Sequence, residues 1–356
     1  MKVALIGSGV LPIPPPGWGA VERAIHGLSQ GLTRLGAEVE IINKIRGSGG
    51  RSLDEYPFAL GLPFTLKKGS WDILHASTPA VANVLAAVSR HYVYTSHSRH
   101  WFGTSSPSER WGLFLETRAC ALARRVIALT PDVAGKISDH LSSHNQSNLR
   151  VIPNGIDTSV FKPDWDARTG KEVLGVGAVH RRKRWHLAAR AMASTKGAHM
   201  TIVGPIQDRE YADSLVSLAT PGKLFLAGEL PEAELAKRYA QSDVFVLPSG
   251  SELMSIAVME AMSSGLPVIG TSILASQVED GKTGWLTEES KDETEMLKGI
   301  ENRLGSLLSV EDLRRRFGGA AREQALDNWD WSVVARRVYS LYQEILMDQE
   351  ELRLLR

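Results

Sequence analysis

Cysteine, long apolar runs and an excess of charge of either sign are all scarce in this sequence of 356 residues. Cys120 is the single cysteine, so no disulfide can form within the chain, and a buried structural thiol in a reducing compartment is expected. Lys and Arg number 41 against 40 Asp and Glu, which excludes the broad basic surface typical of nucleic-acid-binding proteins. No apolar run approaches the ~20 residues that cross a bilayer. The opening segment MKVALIGSGV is too short for a signal peptide. We therefore expect a cytoplasmic protein with at most peripheral membrane contact.

Two short patterns are similar to metal sites, and neither is complete. His140 and His144 have the i, i+4 spacing of a zinc-binding pair, yet no third ligand follows them. Asp164 and Asp166 form a D-x-D pattern, but they lie in a stretch with the character of a linker. We predict that the protein uses no metal and no other cofactor.

The order of apolar segments predicts an α/β protein. Residues 3–6 form a short apolar run typical of a buried parallel strand, and a glycine-rich loop follows it. Apolar residues at helical spacing lie between 21 and 35, and a second strand is expected at 39–42. Residues 46–70 are rich in turn-forming residues and indicate no regular element. The chain is long enough for two such domains, each with its own core.

The segment Asp243–Thr271 carries the clearest chemistry. Its pattern predicts a strand, a short loop, a helix from Ile256 and a second strand, which together form a βαβ crossover. Glu252 lies in the loop, and Glu260 lies just over one turn inside the helix. The N–H groups near Ser255 and Ile256 should form an anion site at the positive end of the helix dipole. A phosphate bound there would have a carboxylate on either side, and each carboxylate can accept hydrogen bonds from paired sugar hydroxyls.

This segment resembles the E-x7-E motif of the retaining GT-B glycosyltransferases, the large family-four, group-one class. In that family the first glutamate contacts the donor sugar and the second contacts the nucleotide ribose. The resemblance therefore assigns these roles to Glu252 and Glu260. The family usually has E-G-F-G at the first glutamate, whereas Leu253, Met254 and Ser255 follow it here.

Two further sites resemble the same family. The loop PIPPPGWGA is similar to its P-P-x-G-Y-G-G-x-E opening, which implies that Gly17, Trp18 and Gly19 lie against the donor. A family histidine at the end of a strand faces the donor sugar and the acceptor, and His97 is in the corresponding place. His75 is a second candidate for that histidine.

The basic stretch R-R-K-R follows another predicted strand and is expected to bind the diphosphate. The family reads V-G-R-L-x-x-x-K-G here, which matches its lysine to Lys183. Ala178 occupies the position of the family's arginine, and Arg184 occupies that of its glycine. One of Arg181, Arg182 and Arg184 would have to replace the missing guanidinium, and we include Arg182 with Lys183 among the binding candidates.

The resemblance covers nearly the whole chain and implies a GT-B fold, in which two doubly wound Rossmann-like domains face a cleft. The stretch V-I-P-N-G-I-D, with F-x-P after it, marks the end of the N-terminal half. We place an acceptor-side domain at residues 1–164, a donor domain at 165–325 and a terminal helix at 326–356 that crosses back onto the N-terminal domain.

The implied activity is metal-independent transfer of a sugar, with retention at the anomeric carbon, from a UDP- or GDP-linked donor to a hydroxyl acceptor. Glu252, His97 and Lys183 would act at the reacting centre. The polar loop at 98–110 and the lack of a long hydrophobic face favour a soluble or surface-presented acceptor.

Two other functions stay open at this point, together with the donor's base and the oligomeric state. A nucleotide-sugar 2-epimerase would use the same fold without an acceptor, and analysis of products formed without acceptor would distinguish it. A non-catalytic member would bind a nucleotide sugar or a partner glycosyltransferase. The departures from the family pattern at Ala178, Ser255 and Ser276 fit that second alternative.

Overall fold

The computed structural model describes residues 1–15, 17, 19–43, 55–67, 69–88, 92–97, 99–102, 106–290 and 292–354. The chain divides into two compact units. Unit 1 comprises Met1–Gly155 together with the chain from Trp331 onward, and unit 2 comprises Ile156–Asp330. The boundaries that we placed from the sequence were 164/165 and 325/326.

Unit 1 contains one parallel sheet with helices on its faces. Its strands are β1 (Lys2–Ile6), β2 (Glu38–Ile42), β3 (Ile73–Ala76), β4 (Tyr92–Ser96), β5 (Arg125–Ala128) and β6 (Leu149–Val151). Its helices are α1 (Ala20–Arg34), α2 (Glu55–Leu66), α3 (Pro79–Val88), α4 (Pro107–Leu122), α5 (Pro131–Ser138), α6 (Ser143–Gln146) and, at the end of the chain, α13 (Trp331–Leu354). The strand order is β2-β1-β3-β4-β5-β6, and every strand pair is parallel. The predicted α/β class is confirmed for this unit.

Unit 2 has a second parallel sheet with a different strand order. Its strands are β7 (Glu172–Val176), β8 (His199–Val203), β9 (Leu224–Gly228), β10 (Val244–Leu247), β11 (Val268–Thr271) and β12 (Gly284–Thr287). Its helices are α7 (Trp185–Ala191), α8 (Arg209–Leu218), α9 (Glu232–Gln241), α10 (Ile256–Ser263), α11 (Glu293–Ser309) and α12 (Glu311–Trp329). The order β12-β11-β10-β7-β8-β9 is that of Rossmann nucleotide-binding domains, in which the first and fourth strands lie side by side.

Helix α2 is the element that the sequence did not indicate. Pro57 lies in its first turn, where a missing N–H is tolerated, but Pro63 lies inside the helix and argues against one. No charged residue occurs between Tyr56 and Leu66, so the helix lacks the polar face by which amphipathic helices are recognised. Residues 44–54, which belong to the same unassigned stretch, lie outside the described part of the chain.

Helix α13 packs closely against α1 and contributes to the core of unit 1. Two glycines of α1 allow this approach: a Cβ at Gly27 would lie 2.1 Å from the Trp331 ring, and one at Gly31 would lie 2.5 Å from the Ala335 Cβ. Four apolar residues of α13 at helical spacing lie in this core, and Trp331 packs against it; the four are Val334, Val338, Leu341 and Ile345. Within the described residues, no helix combines the length and apolar character needed to cross a bilayer.

His75 connects α13 to the sheet at the centre of unit 1. Its Nδ1 lies 2.5 Å from the Tyr342 hydroxyl, and its Nε2 lies 2.7 Å from the Thr95 hydroxyl. The residue is 2% exposed. Burial, with a smaller contribution from the neighbouring His97, lowers the pKa of His75 to about 3. The imidazole is therefore neutral in the folded protein at neutral pH.

We predict that unit 1 loses stability as the pH falls below 6.5, the ordinary pKa of histidine. The unfolded chain protonates His75 near 6.5, whereas the folded chain does so only near 3, so the unfolded state binds more protons between these values. Stability is therefore full above 6.5 and declines toward 3, by at most about 1.4 kcal/mol per pH unit for this group.

Hydrogen exchange of the β3 and β4 amides, corrected for the intrinsic pH dependence of exchange, measures how steeply the stability of unit 1 falls with pH. His75→Gln should make the loss of stability with falling pH shallower, with a remainder due to His97, whose pKa is also lowered. His140→Gln, which changes an exposed histidine of the same unit, should leave the pH dependence as in the wild type. The same slope in the wild type and in His75→Gln would contradict the assignment.

Candidate active site

The strand order of unit 2 reverses between β7 and β10. From β7 the chain continues to β8 and β9 on one side, and from β10 it continues to β11 and β12 on the other. At such a reversal the loops leaving two adjacent strands diverge, and the crevice between them is where α/β sheets bind ligands. Residues 177–184 follow β7 and residues 248–255 follow β10. A 3.0 Å hydrogen bond from the Gly250 N–H to the Arg182 carbonyl joins the two loops.

Lys183 and Glu252 meet across these loops. The Lys183 Nζ lies 2.5 Å from the Glu252 Oε1, and each side chain is 13% exposed. Lys183 ends a short 3-10 helix, and it lies so near Gly177 that a Cβ there would be 3.6 Å from its Nζ. One sequence motif assigns Lys183 to the phosphates, and another assigns Glu252 to the sugar. In the structure the two residues are direct neighbours, and each compensates the charge of the other.

Two of the three arginines in the first loop are already paired with carboxylates. Arg181 Nε lies 3.2 Å from Asp208 Oδ2, and Arg184 Nη1 lies 2.9 Å from both carboxylate oxygens of Glu289. Arg182 is exposed, and no carboxylate among the described residues pairs with its guanidinium. Arg182 is therefore the arginine best placed to bind an incoming anion.

Arg184 adopts a backbone conformation that favours glycine. Its φ is 51°, in the left-handed region where a Cβ costs roughly 1–2 kcal/mol. Its guanidinium lies over Gly250, where a Cβ would come within 2.9 Å of Arg184 Cζ. The contacts of the side chain with Gly250 and Glu289 thus support a turn that a glycine would adopt without strain.

The first turn of α10 offers fewer free donors than we predicted. The Ser255 N–H donates to Gln277 Oε1 at 2.8 Å, and Gln277 Nε2 donates to the Ser255 carbonyl at 2.9 Å. The prediction of a free Ser255 N–H is therefore wrong, because Gln277 occupies it. The anion-binding hypothesis now depends on Ile256 and Ala257, which are partly exposed. No motif pointed to Gln277, since a lone glutamine in a loop has no spacing to recognise.

Glu260 lies inside the fold rather than on the surface of α10. The residue is 4% exposed, and its Oε2 accepts a 3.0 Å hydrogen bond from the Tyr239 hydroxyl. A carboxylate oriented in this way holds its acceptor atoms in fixed directions, as recognition of paired hydroxyls requires. Its contact with a nucleotide ribose stays a prediction.

His97, the remaining catalytic candidate, belongs to unit 1 and directly follows β4. The residue is partly buried, and burial lowers the pKa of His97 to about 4, so its ring is uncharged at neutral pH. It borders a cavity of about 30 Å³, which has room for about one water molecule. The other polar residues around this cavity are His75, Ser77, Thr95 and Asn154.

The proline-rich loop PIPPPGWGA precedes α1, and of its two glycines, both described, only Gly19 lies where a side chain would not fit. A Cβ at Gly19 would lie 2.9 Å from the nearest proline carbon, whereas a Cβ at Gly17 would meet nothing within 4 Å. Trp18 lies outside the described residues. Glu22, which we did not predict, is 5% exposed and accepts a 2.8 Å hydrogen bond from the Ser8 hydroxyl. This bond ties the loop after β1 to the first turn of α1.

Comparison with known families identifies the class of protein. A family model described as "Glycosyl transferases group 1" matches residues 170–305, and one described as "Glycosyltransferase Family 4" matches residues 19–160. Together the two matches span most of the chain. The chain belongs to the group 1, family 4 glycosyltransferases.

Relatives in this family differ in the sugars that their names specify. A sulfoquinovosyl transferase of Arabidopsis thaliana is 29% identical over 229 residues, which is 60% of this chain and 43% of that protein. Spore coat protein SA of Bacillus subtilis is 24% identical over 97% of this chain and 100% of its own length. An alpha-maltose-1-phosphate synthase of Mycolicibacterium smegmatis is 24% identical over 91% of this chain and 86% of that protein.

Solved structures with the same architecture cover almost all of this glycosyltransferase. Sucrose-phosphate synthase from Thermosynechococcus elongatus aligns over 98% of this chain and 99% of its own, with a TM-score of 0.83 and 20% identity. HepE from Anabaena, solved in complex with UDP and glucose, aligns over 97% of this chain and 100% of its own, with a TM-score of 0.76 and 18% identity. The predicted GT-B fold class is confirmed.

We predict that Arg182→Ala weakens binding of a nucleoside diphosphate about tenfold, because a hydrogen bond to a charged group contributes about 1.5–3 kcal/mol. Arg181→Ala is the matched control. It removes a neighbouring exposed arginine that is already paired with Asp208, and it should change the affinity by less than about twofold.

Isothermal titration with UDP or GDP, and with the free nucleoside in parallel, measures both effects. Binding of the nucleoside should be unchanged in either variant. Equal losses in the two variants, or an equal loss for the nucleoside, would show that Arg182 does not contact the diphosphate.

Proposed function

We propose that this protein is a retaining glycosyltransferase that moves a sugar from a nucleotide diphosphate donor to a hydroxyl acceptor without a metal ion. The contact between Lys183 and Glu252 carries the proposal, since a cation and a carboxylate meet at the β7/β10 reversal of a Rossmann-ordered sheet. A sugar diphosphate needs both groups at one point, a cation for the phosphates and an acceptor for the sugar hydroxyls. The UDP in the HepE structure favours a UDP-linked donor, with GDP as the second choice.

In the proposed reaction, the bond between the anomeric carbon and the diphosphate oxygen breaks while the acceptor oxygen bonds to the same face of that carbon. The departing diphosphate gains negative charge, which Lys183 and Arg182 stabilise together with the N–H of Ile256 at the positive end of α10. The proton of the acceptor hydroxyl passes to the departing phosphate oxygen, so no separate protein base is needed.

The sugar develops positive charge as the diphosphate leaves. Glu252 lies beside the phosphate-binding lysine and would orient the sugar through its hydroxyls. Glu260 would receive the ribose hydroxyls. His97 would donate or accept a hydrogen bond near the transferred sugar as an uncharged ring, since its pKa is lowered to about 4.

The proposal is tested by incubating the protein with UDP-, GDP-, ADP- and dTDP-sugars and a panel of hydroxyl acceptors, and by measuring nucleoside diphosphate release. We expect release from one donor, an unchanged rate in EDTA, and a product with the anomeric configuration of the donor by proton NMR. An inverted product would contradict retention. Donor binding without turnover across the acceptor panel would contradict transferase activity.

Glu252→Gln should lower the transfer rate about 100–1000-fold, as removal of a group that acts in the transition state commonly does. The isosteric amide keeps the shape of the loop but leaves the Lys183 ammonium without its carboxylate, so the melting temperature should fall while the circular dichroism spectrum stays that of the folded wild type. Glu288→Gln, which neutralises an exposed carboxylate just after β12, is the matched control and should keep the wild-type rate. Near wild-type transfer by Glu252→Gln would remove Glu252 from the reacting centre.

A further inference from the structure

The outer surface of α2 and α4 in unit 1 exposes a set of large apolar side chains. On α2, Tyr56, Leu60 and Phe64 are 43%, 70% and 74% exposed, and their spacing of four residues puts them on one side of the helix. On α4, Trp111 and Phe114 are 58% and 53% exposed and stack with their ring centroids 5.2 Å apart. We call these five side chains the apolar face.

Helices α2, α3 and α4 do not need the apolar face to pack against one another. Helix α3 packs against both α2 and α4, so the three helices lie side by side. The buried side of α2 is formed by other residues: Phe58, Ala59 and Leu62. The outer side of a surface helix ordinarily carries charged and polar residues, and large apolar side chains grouped on that side instead indicate an interaction site. This surface also corrects the expectation, made from the sequence, that the chain lacks a hydrophobic face.

The exposed charged residues of these helices and their ends are cations. Lys67 directly follows α2, and Arg110 and Arg118 are exposed on α4. Helix α3 contains no charged residue.

The carboxylates of the same helices are engaged elsewhere. Glu55 is partly buried at the start of α2, and burial raises its pKa. Glu109 forms the capping box of α4 with Ser106. Glu116 is fully buried, and its Oε1 accepts 2.6 Å hydrogen bonds from the hydroxyls of two residues of β4. The apolar face is thus bordered by positive charge with no exposed carboxylate on α2, α3 or α4.

We infer that the apolar face, with Lys67, Arg110 and Arg118 at its border, binds the surface of a membrane that contains anionic lipids. Lipid phosphates complement the three cations, and Tyr and Trp rings are the side chains that favour the level of the headgroups. A second copy of the chain fits less well. A two-fold axis would bring the same face against itself, so that cations would meet cations. The inference does not depend on the proposed reaction.

Sedimentation of the full chain with lipid vesicles tests this inference. We expect binding to vesicles of phosphatidylcholine mixed with phosphatidylglycerol, and much weaker binding to phosphatidylcholine alone. Leu60→Gln with Phe64→Gln should weaken binding at least about tenfold, since each buried apolar group contributes to the partition. Arg110→Gln should weaken it about fivefold, the effect of one cation near an anionic surface.

Val216→Gln with Phe225→Gln is the matched control, because these residues of unit 2 are 57% and 50% exposed and lie outside the apolar face. It should bind vesicles as the wild type does. Brominated lipids provide a second measurement: they should quench the wild-type fluorescence, and Trp111→Phe should lose most of that quenching while still sedimenting.

Three results would overturn the inference. The first is no binding to anionic vesicles, and the second is an equal loss of vesicle binding in the control variant. The third is a concentration-dependent dimer of the wild type that the Leu60 and Phe64 changes abolish and the other changes do not. Nucleoside diphosphate release from a donor in solution should be unchanged in all these variants. A failure of the membrane inference is thereby distinguished from a failure of the proposed reaction.

Discussion

The contact between Lys183 and Glu252 places opposite charges side by side where little water reaches them. In such surroundings, removal of one partner leaves the other uncompensated at a cost of about 3–5 kcal/mol. The pair therefore joins the loop after β7 to the loop after β10 and keeps both charged groups at the same point of the crevice. A sugar diphosphate could bind there by taking over these two partners, the phosphate at the ammonium and the sugar hydroxyls at the carboxylate.

The register of the two strands that carry these loops is set by a buried aspartate. Asp243, which directly precedes β10 and is 0% exposed, accepts hydrogen bonds of 2.8, 2.9 and 3.0 Å from the backbone N–H groups of Gly170, Lys171 and Glu172. These bonds hold the start of β7 beside the start of β10. Because parallel strands keep their register along their length, the loops at the other ends of the two strands are positioned by the same contacts.

Helix α10 is fixed at both of its ends. Gln277 holds the residue before its first turn, as described above. At the other end, Arg168 donates to the carbonyls of Ser264 and Gly265, and Arg322 donates to the carbonyl and hydroxyl of Ser263. Two guanidinium groups at the negative end of the helix also complement its dipole. Glu260 is thus held on a helix that has little freedom to shift.

Much of the fold could be predicted from the sequence because its signals were local, and Lys183 and Glu252 were identified by resemblance to family motifs. That the two residues contact each other was not predicted. Buried parallel strands are short apolar runs, and Lys183 and Glu252 each follow such a run at the end where α/β sheets bind ligands. The contact of Gln277 with Ser255 could not be predicted, since it joins two loops through no fixed spacing. The selection of Arg182 depends on which carboxylates lie near the other arginines, and only the three-dimensional structure shows that. Helix α2 was missed for two reasons. A proline lies inside it, and its outer side is apolar, so the alternation of apolar and polar residues that marks a helix is absent.

The most direct test of the donor site is hydrogen exchange of the full chain with and without a saturating nucleoside diphosphate, compared with the free nucleoside. Binding at the β7/β10 reversal predicts protection of residues 177–184 and of 248–260. The protection at 177–184 should need the diphosphate and be missing with the nucleoside. Protection confined to other segments, or the same protection by nucleoside and diphosphate, would contradict a phosphate site at Lys183 and Glu252.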